Sequence, residues 1–193
     1  MSTRPGGQPE ATTSSPASGV RAVFLVGFMG AGKSSVGLAL SRKLGWAFED
    51  LDDRIQAKER RSIEEIFEQS GEAAFRQAEH LALRSLIESL GASSPTVVAV
   101  GGGAFAQENN AALLEESGFS AIFLDAPVEE LFRRCQEQKL DRPLRRNLEQ
   151  FRWLYESRRS HYLKAALRID TDGKDVEEVA AEAIQRLGFL KNR

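Results

Sequence analysis

The sequence predicts an α/β protein, a parallel sheet covered by helices on both faces, and three observations predict it. Short apolar runs, AVFLV, TVVAV and AIFLD, read as buried strands bounded by turn residues. Longer amphipathic stretches alternate with them, as the crossovers between parallel strands require. The first run also leads through a glycine-rich turn, GFMGAGKSS, straight into a helical stretch.

The elements follow in order. Residues 1–19, MSTRPGGQPEATTSSPASG, are rich in Pro, Gly, Ser and Thr and have no periodic apolar positions. Such a composition buries no core, so a disordered tail is expected ahead of one domain over 20–193. The tail lacks an apolar secretory stretch and carries Glu10 with a single Arg, which argues against targeting. AVFLVG is the first strand, and Lys33–Leu44 a helix that Gly45 stops. WAFED is a short second strand. Ser62-Ile63-Glu64-Glu65 has the spacing of a capping box, so a helix begins there. A long helix follows Gly71 and ends near Gly91. TVVAV and AIFLD are the next strands, the latter followed by Ala126-Pro127 and the helical VEELFRR. A polar helical region from Glu149, a weak strand around Arg168–Asp170 and a closing helix over Val176–Leu187 complete the chain, with no internal repeat.

Composition narrows the function. At 193 residues the chain has room for one sizeable core. Its apolar runs fall far short of the ~20 residues that span a bilayer. A formal net charge of −2 gives no global basic field for nucleic acid or an anionic membrane, so anion binding must come from a local cluster. Cys135 is the only cysteine, cannot form an internal disulfide and fits a reducing cytosol, so a cytoplasmic location is expected. It lies on a helical stretch and suits a partly buried structural role. His80 and His161 have no cysteine or histidine partner at metal-ligand spacing, which disfavours zinc.

The glycine-rich turn carries the chemistry. Gly27-x-x-x-x-Gly32-Lys33-Ser34 fits a phosphate-binding loop in the strand–loop–helix context that the motif needs. Glycines let the backbone curl so that successive N–H groups point at phosphate oxygens, and the helix that follows adds its positive end. Lys33 is placed to reach the β- and γ-phosphates, and the Ser34 hydroxyl to ligate Mg²⁺. A plain turn explains the glycines but not the Lys-Ser pair. A carboxylate should complete the metal site, and two apolar runs end in acid, at Asp50 and at Asp125. Asp125 also suits a helix cap. Asp50-x-Asp52 offers two carboxylates just past a strand end, one for a metal and one for an acceptor hydroxyl. Gly101-Gly102-Gly103 suits close approach of backbone to a ligand, or a tight loop.

In combination these stretches resemble the shikimate kinases, in the nucleoside-monophosphate-kinase-like group of phosphate-loop enzymes. GFMGAGKSS, DLD, RSIEEIFEQSGEAAFR with Glu79 downstream, VGGGA, DRPL and RRSHY run in family order over roughly residues 22–187. The resemblance implies a three-layer fold with five parallel strands ordered 2-3-1-4-5, a mobile lid and an acceptor-binding segment. It implies transfer of the γ-phosphoryl of ATP to the 3-hydroxyl of shikimate with Mg²⁺, in aromatic amino-acid biosynthesis. Carried onto this sequence, Gly30, Ala31, Gly32, Lys33, Ser34 and Ser35 hold the nucleotide, and Ser34 and Asp50 the metal. Asp52 binds the shikimate hydroxyls and takes the departing proton. Arg76 and Arg159 hold the carboxylate, with backbone contacts from Gly102 and Gly103. Arg142 closes over the phosphates in the lid and acts in catalysis with Lys33 and Asp52, while Arg134 and the Asp172–Lys174 loop border the adenine. A monomer with no nucleic-acid or membrane partner is expected.

The residue types suit that chemistry. Arginine grips a carboxylate with a planar fork that lysine lacks. Phosphoryl transfer asks mostly for positioning and charge neutralisation. Ser35 and Leu51 depart from the family's commoner residues, Lys174 stands where the family can use Arg, and the stretch between Arg142 and Arg159 is slightly short. A same-fold kinase of gluconate or a nucleoside monophosphate would share the loop but not D-x-D, Phe75-Arg76 and the triple glycine together. A non-catalytic nucleotide binder should have lost one of these groups. A GTPase switch would carry an Asn-Lys-x-Asp stretch, which the chain lacks.

Overall fold

The computed structural model describes residues 21–90, 94–137 and 147–190. Five strands, β1 (Ala22–Val26), β2 (Ala47–Asp50), β3 (Thr96–Ala99), β4 (Ser120–Asp125) and β5 (Leu167–Asp170), form one sheet in the order β2-β3-β1-β4-β5. Every pairing is parallel, so the expected order holds. The expected tail over 1–19 and the lid residue Arg142 lie outside the described residues.

The central strand explains the layering. All five residues of β1 are buried, as a strand covered on both faces must be. Around the sheet run α1 (Lys33–Leu44), α2 (Leu51–Glu59), α3 (Ile63–Leu90), α4 (Glu108–Glu116), α5 (Val128–Glu137), α6 (Leu148–Tyr162) and α7 (Val176–Leu190). Helices α1 and α7 pack together, α1 over β1, β2 and β3 and α7 over β5, while α3, α4 and α6 gather around a 3₁₀ turn at Ala104–Ala106.

Local chemistry sets the helix ends. Gly45 closes α1 in the left-handed region, its N–H returning to Ser41 and Arg42. The capping box forms as read: the Glu65 N–H donates to Ser62 Oγ at 3.1 Å and the Ser62 N–H to Glu65 Oε2 at 2.7 Å. Gly71, at φ 79°, breaks α3 at the point where the sequence starts a new helix. Asn147 caps α6 by accepting from the Glu149 and Gln150 N–H groups.

Two helices go beyond the sequence reading. Helix α2 buries only Leu51 and Ile55, and α4 only Asn110 and Leu114, too few apolar positions for a visible period. Helix α2 starts because the Asp50 side chain accepts from the Asp52 N–H at 3.0 Å. That cap fixes both acids of the D-x-D pair at the end of β2.

Candidate active site

Parallel pairing brings the strand ends to one edge: Asp50 stands level with Ala99, Leu25 with Ala99, and Asp125 with Asp170. The candidate residues sit on the loops that leave this edge, where open α/β sheets bind ligands.

The phosphate loop leaves β1 at Gly27. Gly30 must be glycine for two reasons. Its φ of 81° is left-handed, and a Cβ there would lie 2.5 Å from the Leu131 carbonyl oxygen and 2.9 Å from Cys135 Sγ. The buried Cys135 thiol thus packs under the loop, which fits the structural role read from the sequence. Lys33 Nζ donates to the Phe28 carbonyl at 3.0 Å, bending back across the loop. Gly32 precedes α1, and its carbonyl accepts from Val36 N at 2.8 Å. Ala31 is buried beneath the turn, while Ser34 and Ser35 face outward in the first turn of α1.

Ser34 Oγ donates to Asp50 Oδ2 at 2.6 Å. A hydroxyl and a carboxylate so close are a hard-oxygen donor set of the kind Mg²⁺ takes, few protein ligands with room for water and phosphate. Asp125 is drawn away from that set. It lies buried at the end of β4 and is engaged with α6 and β5. Among the described residues, no three His, Cys, Asp or Glu side chains gather as a protein-only metal cage.

The triple glycine is a clearance. A Cβ at Gly101 would come 2.8 Å from Asp52 Oδ1 and 3.1 Å from Glu79 Oε1. At Gly102 it would crowd the Met29 amide of the phosphate loop at 3.3 Å, and at Gly103 it would strike the Arg76 guanidinium at 2.5 Å. Asp52, Arg76 and the phosphate loop therefore converge on one bare backbone segment.

Arg76 is pre-held by acids. It donates to Glu79 Oε2 at 2.9 Å and to Glu72 Oε1 at 3.1 Å, and lies 5.1 Å from the Phe75 ring centroid. Glu79 is buried, and its Oε1 has no hydrogen-bond partner. Burial pushes its carboxyl above the usual carboxylate range against the pull of Arg76, and the nearby Asp52 charge pushes the same way.

Helix α6 differs from the sequence reading by one residue. Arg159 turns toward β4, donating to the Tyr155 hydroxyl at 3.0 Å and to Asp125 Oδ2 at 3.3 Å. Arg158 faces the triple glycine instead, with Nη1 3.4 Å from the Gly102 carbonyl and its guanidinium 5.9 Å from the Phe28 ring. The buried Tyr162 hydroxyl donates to the same carbonyl. The signal was available: Phe151, Tyr155 and Tyr162 are buried at i, i+4 and i+11, and Arg158 at i+7 completes that stripe. Glu79, noted only as part of a motif, is the other group that sequence reasoning left without a role.

On the far side of the loop, Arg134 donates to Thr171 Oγ1 at 3.0 Å and to Thr171 O at 2.8 Å, which joins α5 to the β5–α7 loop. Lys174 turns away, pairing with Glu182 of α7 at 2.8 Å and with the Asp170 carbonyl at 2.9 Å.

A lysine-bearing phosphate loop that touches, through Gly102, a carboxylate and arginine cluster defines a class: phosphate-loop kinases of small acceptors. The comparisons with known proteins then identify the family. The shikimate kinase family model matches residues 29–188. A curated shikimate kinase of Geobacter metallireducens is 44% identical over 185 residues, covering 94% of this chain and 98% of that protein. A shikimate kinase structure from Acinetobacter baumannii, in complex with shikimate, superposes with a TM-score of 0.78 at 31% identity, over 90% of this chain and 95% of that one. The Aquifex aeolicus shikimate kinase gives a TM-score of 0.75 at 35% identity, over 88% and 98%. This chain belongs to the shikimate kinase family.

Proposed function

We propose that this protein transfers the γ-phosphoryl group of ATP to the 3-hydroxyl of shikimate, giving shikimate 3-phosphate and ADP on the route to aromatic amino acids. Family membership supports the reaction. The observation that carries the reading is the triple glycine, which abuts the phosphate loop at Gly102, Asp52 at Gly101 and Arg76 at Gly103.

On this reading the loop amides of Gly30, Ala31 and Gly32, with Lys33, Ser34 and Ser35, hold the triphosphate. Lys33 releases the Phe28 carbonyl to meet the phosphates. Ser34 and Asp50 hold Mg²⁺, which supplies positive charge to the phosphate oxygens when bound. Asp52 orients the acceptor hydroxyls and takes the proton that the attacking oxygen loses. Arg76 grips the carboxylate together with Arg158, the residue before the expected Arg159, because Arg158 is the one that reaches the triple glycine. Gly102 and Gly103 leave room for that anion. Arg134 borders the adenine, and Arg142 of the lid closes on the phosphates. Lys174 has a bland role in tying its loop to α7.

The same reading makes the protein a cytoplasmic monomer with no nucleic-acid or membrane partner. The single cysteine suits a reducing compartment, and among the described residues no helix is long and apolar enough to cross a membrane. A coupled ADP-release assay tests the function. Turnover should require Mg²⁺ and shikimate, and should not be supported by gluconate or AMP. ADP release that ignores shikimate but follows another acceptor would overturn the proposal.

A further inference from the structure

Asp125 stands between two arms of the site. It closes β4, whose Phe123 pairs with Val26 just before the phosphate loop. Its buried carboxylate accepts from the Tyr155 hydroxyl at 2.8 Å and from Arg159 at 3.3 Å, and forms an ion pair with Arg168 at 2.9 Å. Its carbonyl accepts from Thr171 N at 2.8 Å and from Thr171 Oγ1 at 3.1 Å. Thr171 is in turn the residue that Arg134 grips twice. One aspartate thus holds the α6 arm through its side chain and the β5–α7 loop through its backbone.

The geometry of a helix gives this a consequence. Successive residues on α6 are turned by about 100°. Pinning Arg159 to β4 therefore fixes the rotation of α6, and that rotation aims Arg158 over the Gly102 carbonyl. Tyr155 adds a second pin: its ring stands 5.5 Å from Phe28 of the phosphate loop, edge on, while its hydroxyl stays on Asp125. Neither Asp125 nor Arg159 faces the triple glycine.

We propose that Asp125 and Arg159 are positioning residues that aim Arg158 at the acceptor and tie that aim to the nucleotide side through Thr171 and Arg134. The proposal rests on the reading of Arg158 as an acceptor-carboxylate ligand. It predicts reciprocal linkage: a nucleotide that orders the Arg134–Thr171 arm should tighten acceptor binding through α6, and the linkage should depend on the Asp125–Arg159 pair.

The test is calorimetric titration of shikimate into the protein, alone and saturated with MgADP, for the wild type and for Arg158→Ala, Arg159→Ala, Arg159→Lys and Asp125→Asn. The wild type should bind shikimate about fivefold or more tightly when MgADP is present. Arg159→Ala should bring that ratio close to one while leaving the Kd for MgADP alone within about twofold, and Arg159→Lys should recover part of the ratio. Arg158→Ala should weaken shikimate binding in both states. A residue that serves only stability would lower Tm without removing the ratio. Three results overturn the proposal: a wild-type ratio of one, an Arg159→Ala protein that keeps the wild-type ratio (as it would after an equal fold loss in both states), or an Arg159→Lys protein no better than Arg159→Ala. Normal shikimate binding by Arg158→Ala overturns the acceptor reading, and the proposal with it. The Arg159 side chain is about a third exposed, so its variants test the idea even if Asp125→Asn fails to fold.

Discussion

Gly103→Ala is a one-methyl test of the acceptor site. The Gly103 backbone has φ −104°, ordinary for any residue, so alanine brings no conformational strain. Its Cβ would lie 2.5, 2.8 and 2.9 Å from Nη1, Nη2 and Cζ of Arg76, where ordinary contact begins at 3.4 Å. The guanidinium must therefore retreat by about 1 Å, since the backbone beside it is packed and the side chain is the softer partner. It cannot retreat freely, because Glu79 and Glu72 hold it at 2.9 and 3.1 Å. A displacement of that size at a positioning group costs about 100-fold in rate, or ~2.7 kcal/mol at the transition state. The expected result is a fall of about 10- to 100-fold in kcat/KM for shikimate, with the KM for ATP within about twofold of wild type. Steady-state kinetics with each substrate varied in turn measures both. Adding Gly103→Ala to Arg76→Ala should cost little more than Arg76→Ala alone, since both act on one group. A folded Gly103→Ala protein with wild-type kcat/KM for shikimate would refute the claim that the triple glycine exists to seat Arg76.

Other outcomes follow from the same geometry. Lys33→Ala should abolish turnover without a large change in Tm, because Lys33 contributes charge and polar contact, including one to the Phe28 carbonyl, rather than core packing; thermal melts and the ADP-release assay check it. Asp52→Asn should lower kcat far more than it changes ATP affinity, since the amide can still bond hydroxyls but accepts no proton; a Kd for MgATP that rises instead would exchange the roles of Asp50 and Asp52. Glu79→Gln should impair shikimate KM by loosening Arg76, yet should not destabilise at neutral pH. With its folded pKa raised above the usual value of about 4.3, Glu79 contributes stability that is present below that value and lost as pH rises through the folded pKa. The Tm of Glu79→Gln relative to wild type should therefore climb across that window, and a difference constant with pH would show that the carboxyl titrates normally.

How legible the site was depended on what each residue answers to. The phosphate loop answers to local chemistry, because its glycines, lysine and serine are contiguous and sit between a strand and a helix, so sequence was enough. The D-x-D pair was legible as a pair, and the capping of α2 by Asp50 adds what sequence could not show: the Asp50 carboxylate is held on the Asp52 N–H. The sheet order came from the family resemblance, since nothing in five short strands states their neighbours. Arginines 158 and 159 were a harder case. Both lie in one motif, and only the rotation of α6 assigns one to the triple glycine and the other to Asp125. That rotation is set by Phe151, Tyr155 and Tyr162 packing inward together with the Arg159–Asp125 pair, tertiary facts that a one-residue reading of the motif passes over. Glu79 was legible as a residue but not as a buried one, since acids are seldom buried unless paired and its partner is on its own helix.

The charge arrangement explains how a chain of net charge −2 prepares for two anions. Among the described residues, the cations proposed to bind the two anions are held before any ligand arrives: Arg76 by Glu79 and Glu72, Arg158 by the Gly102 carbonyl, and Lys33 by the Phe28 carbonyl. Holding a long side chain in place beforehand removes part of the ordering entropy that binding would otherwise cost, about 0.5–1.5 kcal/mol for each flexible group. The same acids keep the cations from repelling one another across a small site, so neutrality overall and strong local positive faces are compatible. The partners differ in kind, and the difference predicts behaviour. A carbonyl is neutral, so the contact between Lys33 and Phe28 exchanges readily for one to phosphate. The Arg76 carboxylates are charged and one is buried, so Arg76 stays where Glu79 puts it and the acceptor must come to it. Recognition of the small anion is then rigid, while the grip on the larger one adjusts.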